Sequence, residues 1–487
     1  MTKPVFLVID EGTTSTRAML IDADGTMLGE ARSELVQHCP APGMVEHDAE
    51  EIWQKTLDCA RQMVRQAGGA DRIAALGITN QRETTVAWDK RSGKPLCHAI
   101  VWQDRRTAPH CRRLRESGQE AVVQAKTGLL LDAYFSATKM VWQMENVPAV
   151  QEAGAHLAFG TVESYLIFRL TGGLHVSDAS NASRTMLLAL DGADWDTDLL
   201  ALFGIPRHTL PQIVDCAGAL GMTDPALFGG AIPICGAAGD QQAATIGQAC
   251  LRLGDTKATF GTGAFVLANA GPVIPRSGHR LLSTVLHQLG GVRHYALEGS
   301  VFVAGSLIKW LRDGVGMLAS AAETEELARA VPDNGGVYFV PALSGLGAPH
   351  WRPDATGQIS GLTFATTKAH IARAALESVS TQAHDLKEAF AADQVRWERL
   401  KIDGGMAAND WLAQDLADIL DLPVERPDFV ETTALGAAML AGVGVGVFAS
   451  LEDATVMRKG LHSFMPSMAP EVRQKRLSGW RAALARL

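Results

Sequence analysis

The chain has 487 residues, enough for two or three domains at roughly 100–200 residues each. Apolar residues make up 47% and charged residues 20%, a globular balance that excludes a disordered chain. The net charge of −9 argues against a nucleic-acid scaffold held by clustered positive charge, while leaving room for a local cationic pocket. Seven cysteines, an odd number with no CxxC pair, make a disulfide framework or structural zinc unexpected; a reducing cytoplasm fits best. The N-terminus has no long apolar region followed by a small-residue cleavage site, so no signal peptide is expected.

Taken in chain order, residues 5–9 are apolar and β-branched and predict a buried strand. Asp10, Glu11, Gly12 and four hydroxyl residues follow, then a second strand over 17–21 and a turn at 22–25. The chain thus opens with a hairpin tipped by Gly and Thr. Apolar or small side chains at 52, 56, 60 and 64 predict a helix over 48–67. A buried strand over 73–78 then runs into a polar loop at 79–85. This alternation favours an α/β architecture. A strand over 233–235 leads through a glycine-rich bend to Asp240. Strands over 256–260 and 264–268 flank Gly261, Thr262 and Gly263, repeating the opening hairpin about half a chain later. Duplicated domains or a coincidence of common Gly-Thr turns both account for it, and the boundary is expected near 245–255. A long helix is predicted over 368–391, with Ile371, Ala375, Val379, Leu386 and Phe390 on one stripe. A strand over 400–402 ends in Asp403, Gly404 and Gly405, with a helix expected after Asn409. The uncharged stretch 432–451 is long enough to span a bilayer, but its many Ala and Gly residues predict a buried helix and turn instead.

Three glycine turns distributed over both halves suggest a nucleotide held between two domains. At the first tip, Asp10 suits a hard cation, and the Gly12–Thr13–Thr14 backbone and hydroxyls suit phosphate oxygens. Arg17 adds a forked donor for a phosphoryl group. The competing reading is a polar turn with a solvated arginine. Gly261–Gly263 is the second phosphate turn, and Gly405 with Asn409 is the third nucleotide element, where N–H groups collect at a helix start. There is no P-loop and no protein-kinase signature set. Asp240 is a candidate general base or a helix N-cap, or both. Arg82 and Glu83 pair a donor fork with an acceptor, which suits vicinal hydroxyls, with Trp102 and Tyr134 against the carbons; a surface ion pair and core aromatics are the alternative.

The motifs IDEGTTSTRA (9–18), GMVEHD (43–48), GITNQRETT (77–85), AIVWQDRRT (99–107), DAYFSATK (132–139), NASRTM (181–186), AAGDQQAA (237–244), FGTGAF (260–265), LEGSVFVAG (297–305), LSGLGAPHW (343–351) and DGGMAAN (403–409) resemble the FGGY family of carbohydrate kinases nearly end to end. GITNQRETT and the VWQ-x-RRT segment are most like its glycerol-phosphorylating branch. The resemblance implies a two-domain, actin-like and ribonuclease-H-like α/β fold with an interdomain cleft, divided as 1–247 for substrate and phosphate hairpin and 248–487 for nucleotide. It implies transfer of the γ-phosphoryl of ATP to a terminal hydroxyl of glycerol, with Mg²⁺; a kinase for another short polyol or triose, such as erythritol or dihydroxyacetone, is the alternative. Asp240 would be the base, with Arg17 as the other catalytic group. Arg82, Glu83, Tyr134, Asp240 and Gln241 would hold the hydroxyls, and Trp102 and Phe265 the apolar side. Thr13, Thr14, Ser15 and Arg17 would meet phosphates from one side; Thr262, Gly305, Gly405 and Asn409 would bind nucleotide from the other. Asp10 would help hold the metal. Relatives form dimers and tetramers, so a homodimer or homotetramer is implied, with no nucleic acid and no membrane span. Glu11 and Lys309 stand where these relatives usually carry Gln. The 224–232 loop lacks the Gly-rich, Arg-containing segment that binds fructose 1,6-bisphosphate in some bacterial members, and no segment matches their phosphorylatable His loop.

Overall fold

The computed structural model describes residues 3–352 and 354–487. The first strand, β1 (Val5–Glu11), turns through the hairpin into β2 (Ser15–Asp22), and β3 (Met27–Glu34) continues the antiparallel meander. Helix α1 (Ala49–Ala67) then crosses to β4 (Ala75–Asn80), which pairs parallel to β1. Much later in the chain, β5 (Ala217–Met222) and β6 (Pro233–Gly239) complete a sheet of order β5-β6-β4-β1-β2-β3. The expected helix start is present: Asp48 accepts hydrogen bonds from the Glu50 and Glu51 N–H groups. The segments between β4 and β5 supply the loops and short helices that carry Trp102, Tyr134 and Arg184.

β1 is buried on both faces because its two-residue period feeds two cores. Leu7 and Ile9, with Leu20 of β2, pack under Ile52, Trp53, Leu57 and Val64 of α1. Phe6 and Val8, with Met19 and Ile21, face the opposite way.

The second half repeats this plan. β7 (Thr256–Phe260) and β8 (Ala264–Gly271) form the second hairpin; β9 (Leu282–Leu289) and β10 (Val292–Val301) follow, with β10 antiparallel to β8. The long α3 (Lys368–Ala392) leads to β11 (Leu400–Asp403), then α4 (Asp410–Leu420) to β12 (Val424–Arg426). β11 is parallel to β7 and β12 parallel to β11, in the order β9-β10-β8-β7-β11-β12-β13, where β13 is His462–Phe464. Each half therefore has an antiparallel meander, of three strands in the first half and four in the second, and, on the other side of its first strand, two parallel strands followed by an antiparallel edge strand. This is the doubled ribonuclease-H-like arrangement. The α3 stripe is buried as expected at Val379, Leu386 and Phe390, beneath Phe260 and Val266; Ile371 is half-buried.

The uncharged stretch forms the expected buried helix, α5 (Thr432–Gly444), followed by a turn. No described helix is long and apolar enough to cross a membrane. α5 lies against Phe6, Val8, Met19 and Ile21 of the first sheet. It also lies on α2 (Asp240–Gly247) at van der Waals contact of the two backbones. A Cβ at Gly436 would stand 1.8 Å from the Ala243 carbonyl oxygen. That close approach explains the small residues that mimic a membrane span in composition.

Candidate active site

Both hairpin tips face one region. A cavity of about 650 Å³ is lined by Thr13 and Thr14 of the first tip, and by Gly261, Thr262, Gly305, Gly405 and Asn409 of the second half. A smaller cavity of about 200 Å³ is lined by Arg82, Glu83, Trp102, Tyr134, Asp240, Gln241 and Phe265. Thr13, Trp102, Gly261 and Thr262 line both, so the two spaces meet at the hairpin tips.

The larger cavity is built from backbone turns. The second tip docks on the short helix Gly305–Lys309: Gly305 N donates to Gly261 O at 2.9 Å and Ala304 N to Thr262 O at 3.0 Å. Gly404 has φ 87°, which a side chain rarely adopts, and a Cβ there would meet the Phe260 carbonyl at 2.6 Å. Gly405 is open, with nothing within 4 Å of an added Cβ. Asn409 caps α4, its Oδ1 accepting from Leu412 N at 2.9 Å. The first tip is held by Gln81, whose Nε2 donates to Gly12 O at 3.0 Å, and by Trp102, whose Nε1 donates to Thr13 Oγ1 at 2.9 Å.

The smaller cavity rests on a buried ionic cluster. Arg82 donates to both Glu298 oxygens, at 2.5 and 3.1 Å, and to Tyr134 Oη at 3.3 Å. Arg184 donates to Glu298 Oε1 at 2.9 Å and to Glu83 Oε1 at 2.6 Å. Burial opposes ionisation of Glu298, but Arg184 and Arg82 outweigh it and bring its carboxyl to about 2. Burial pushes Glu83 upward against the same two arginines. Glu83 has φ 61°, an uncommon conformation for a side-chain-bearing residue and one that collects at functional sites. Asp240 is the open carboxylate, with its side chain 33% exposed. Its Oδ1 lies 3.3 Å from Arg82 Nε and accepts from Gln241 N at 2.7 Å. Burial raises its pKa, while Arg82 and Lys257 pull the other way.

All seven residues expected around the acceptor share one cavity. Arg82 and Glu83 are 3% and 1% exposed, so they are no surface pair. Asp240 is the first residue of α2, and Gly239 is the N-cap; β6 runs straight to Gly239 without the expected bend. Thr13, Thr14, Thr262, Gly305, Gly405 and Asn409 share the larger cavity. Asp10, Ser15 and Arg17 lie behind these walls. Arg17 donates to Asp10 Oδ2 at 2.5 Å and to Glu431 Oε2 at 2.6 Å. Glu11 turns away from the cavities: Thr56 Oγ1 of α1 donates to its Oε2 at 2.9 Å, and burial pushes its carboxyl up to about 8. Lys309 lines the larger cavity.

Sequence reasoning assigned no role to Arg184 or Glu298. Both lie in quoted motifs, and Glu298 is a lone acid between Leu297 and Gly299 in a mostly apolar strand, which marks a buried charge that needs a partner.

Comparison with known proteins identifies the family. The N-terminal domain profile of the FGGY family of carbohydrate kinases matches residues 5–247, and its C-terminal domain profile matches 256–445. A glycerol kinase of Rhodospirillum centenum is 51% identical over 99% of this chain and 98% of its own length. One of Methylobacterium nodulans is 53% identical over 99% and 97%. The crystal structure of Plasmodium falciparum glycerol kinase with ADP superposes with a TM-score of 0.91 at 34% identity, covering 99% of this chain and 98% of that one. Gluconate kinase from Lactobacillus acidophilus shares the fold, with a TM-score of 0.88 at 22% identity. Two matched domain profiles and full-length relatives at half identity settle kinship: the chain belongs to the FGGY family of carbohydrate kinases.

Proposed function

We propose that this carbohydrate kinase transfers the γ-phosphoryl group of ATP to a terminal hydroxyl of glycerol, giving sn-glycerol 3-phosphate and ADP. The observation that carries the reading is the small cavity. At about 200 Å³, with aromatic rings on one side and polar groups on the other, it suits a three-carbon polyol. It also opens onto the larger space where the hairpins meet.

ATP fits the larger cavity, with its phosphates between the Thr13–Thr14 and Gly261–Thr262 tips, where backbone and hydroxyl groups collect. Among the described residues no group of three acidic, His or Cys side chains could hold a metal ion. That suits Mg²⁺, which keeps several waters and takes one or two carboxylates alongside substrate phosphates. Asp10 is the carboxylate at the first hairpin that would hold it. When bound, the ion supplies charge neutralisation for the transferring group.

Arg82, Glu83, Tyr134 and Gln241 orient the hydroxyls, while Trp102 and Phe265 cover the carbons. Asp240 accepts the proton of the attacking hydroxyl as its oxygen bonds to the γ-phosphorus and the bond to ADP breaks. Arg17, pinned between two carboxylates, sets the Asp10 side of the phosphate site. Ser15 supports the same strand, and Lys309 adds a cation beside the nucleotide. The free state of all seven cysteines accords with a cytoplasmic enzyme.

A coupled ADP-release assay with Mg-ATP tests this against glycerol, dihydroxyacetone, erythritol, glyceraldehyde, xylulose and ribulose. Glycerol is expected to show the highest kcat/KM by about tenfold, or ~1.4 kcal/mol. A four- or five-carbon winner would leave the fold and proton acceptor in place and remove the glycerol assignment.

A further inference from the structure

Lys257 lies in β7, the strand that feeds the second hairpin, and its side chain is fully buried. Burying an ammonium is costly unless a carboxylate pairs with it. Among the described residues none lies within salt-bridge distance of Nζ; its partners are neutral. Nζ donates to Gln241 Oε1 at 2.6 Å and to Thr259 Oγ1 at 2.8 Å. Both partners line the small cavity, and Lys257 stands directly behind them.

The hydrogen bond to Gln241 has a directional consequence. An ammonium only donates, so it fixes Oε1 toward β7 and leaves the two Nε2 hydrogens as the donors that Gln241 can offer the cavity. The charge has a second one. The charged groups near Lys257 are Asp403 of β11, Asp240 of α2, Arg82 of the loop after β4, and Glu298 of β10. Asp403 is already served by Thr432 Oγ1 at 2.5 Å and Gln248 Nε2 at 3.1 Å, and Glu298 by two arginines. Asp240 has two cations favouring its anion, Arg82 and Lys257.

We propose that Lys257 is a positioning residue for phosphoryl transfer: hydrogen-bonded to the residue that follows Asp240, it orients the Gln241 amide so that its donors face the acceptor and places its charge one residue from the Asp240 carboxylate. The inference rests on the assignment of Asp240 as proton acceptor.

Lys257→Met removes both effects at similar side-chain length. The KM for glycerol is expected to rise about tenfold, as a lost charge-assisted hydrogen bond implies. The acid limb of the kcat/KM profile is expected to move to higher pH, because losing a cation raises the pKa of the Asp240 carboxyl. Lys257→Arg keeps the charge but not the geometry, so the limb should return to the wild-type position while KM stays raised. A folded Lys257→Met with wild-type KM and an unmoved limb overturns the proposal, since a merely structural lysine would change only the unfolding temperature. If Lys257→Met does not fold, Lys257→Arg decides alone: unchanged KM overturns it. In the double variant with Gln241→Ala the losses should be less than additive; full additivity overturns the route through Gln241. Two controls separate this proposal from the reading beneath it. Undiminished turnover in Asp240→Asn would remove the proton acceptor whatever Lys257 does, and calorimetric titration of Lys257→Met with glycerol reads the Gln241 effect without turnover.

Discussion

Two carboxylates reach the wall of the acceptor cavity, and only one is free to take a proton. Glu83 is 1% exposed and held by Arg184, whereas the Asp240 side chain is a third exposed to the cavity. Asp240→Asn keeps size and hydrogen-bonding capacity but removes the proposed base. It is expected to lower kcat by about 10²–10⁴-fold while leaving ATP affinity within a factor of about two, read by steady-state kinetics and nucleotide titration. Glu11 makes the opposite case, of a charge near the phosphate site that faces elsewhere. Among the described residues its Oε1 has no hydrogen-bond partner, and its Oε2 faces α1. Glu11→Gln should therefore leave the Mg²⁺ dependence of turnover unchanged and stabilise the fold by about 1–2 kcal/mol at neutral pH, measured by urea unfolding. A change in Mg²⁺ demand would place the Glu11 side chain in the cleft.

At the scale of elements, the strands and the long helices are legible in the sequence because burial imposes a period. Residues 5–9 and 256–260 read as strands, and the stripe through Val379, Leu386 and Phe390 reads as a helix face. Hairpin tips are legible from Gly and Thr. What local pattern hides is the long-range pairing. Arg82, Arg184 and Glu298 come from three distant segments, and nothing in the residues around any of them names the others. The position of Lys257 behind Gln241 is hidden for the same reason, because a strand's register against a helix is a tertiary fact. The aromatic wall is another such product. Trp102 meets Tyr134 and Phe265 edge-on, with ring centroids 5.7 and 6.0 Å apart. Beyond Trp102 and Tyr134 lies a third cavity of about 390 Å³. On the proposed reading, this wall limits acceptor length. Trp102→Ala joins the two spaces and is expected to raise kcat/KM for erythritol relative to glycerol by about tenfold, even as loss of the bond to Thr13 lowers both rates. An unchanged ratio would assign the length limit to another side chain.

Across the whole molecule, two of the contacts that join the halves do different work. The α2–α5 contact is steric: Gly436 lets a helix of the second half lie on the helix that begins with Asp240. The Glu298 cluster is electrostatic. It ties β10 of the second half to Arg82 and Arg184 of the first, directly beneath the acceptor cavity. The Glu298 carboxyl is held at about 2, below the ordinary 4.5 of a glutamate. A depressed folded-state pKa contributes stability that is present above about 4.5 and is lost as pH falls toward 2. At 1.36 kcal/mol per pH unit the contribution is on the order of 3 kcal/mol. Glu298→Gln should therefore be destabilised by roughly that amount at pH 6–7, and the gap to the unsubstituted protein should close as pH is lowered from 4.5 toward 2, as read by denaturant unfolding at fixed salt. The same variant leaves Arg82 without its bidentate partner, so the KM for glycerol should rise while the KM for ATP, whose cavity does not include Arg82, stays near its original value. A pH-independent gap would mean that Glu298 contributes packing and not charge. A rise in the KM for ATP equal to that for glycerol would mean that the cluster sets the closure of the two halves as a whole, not the acceptor cavity alone.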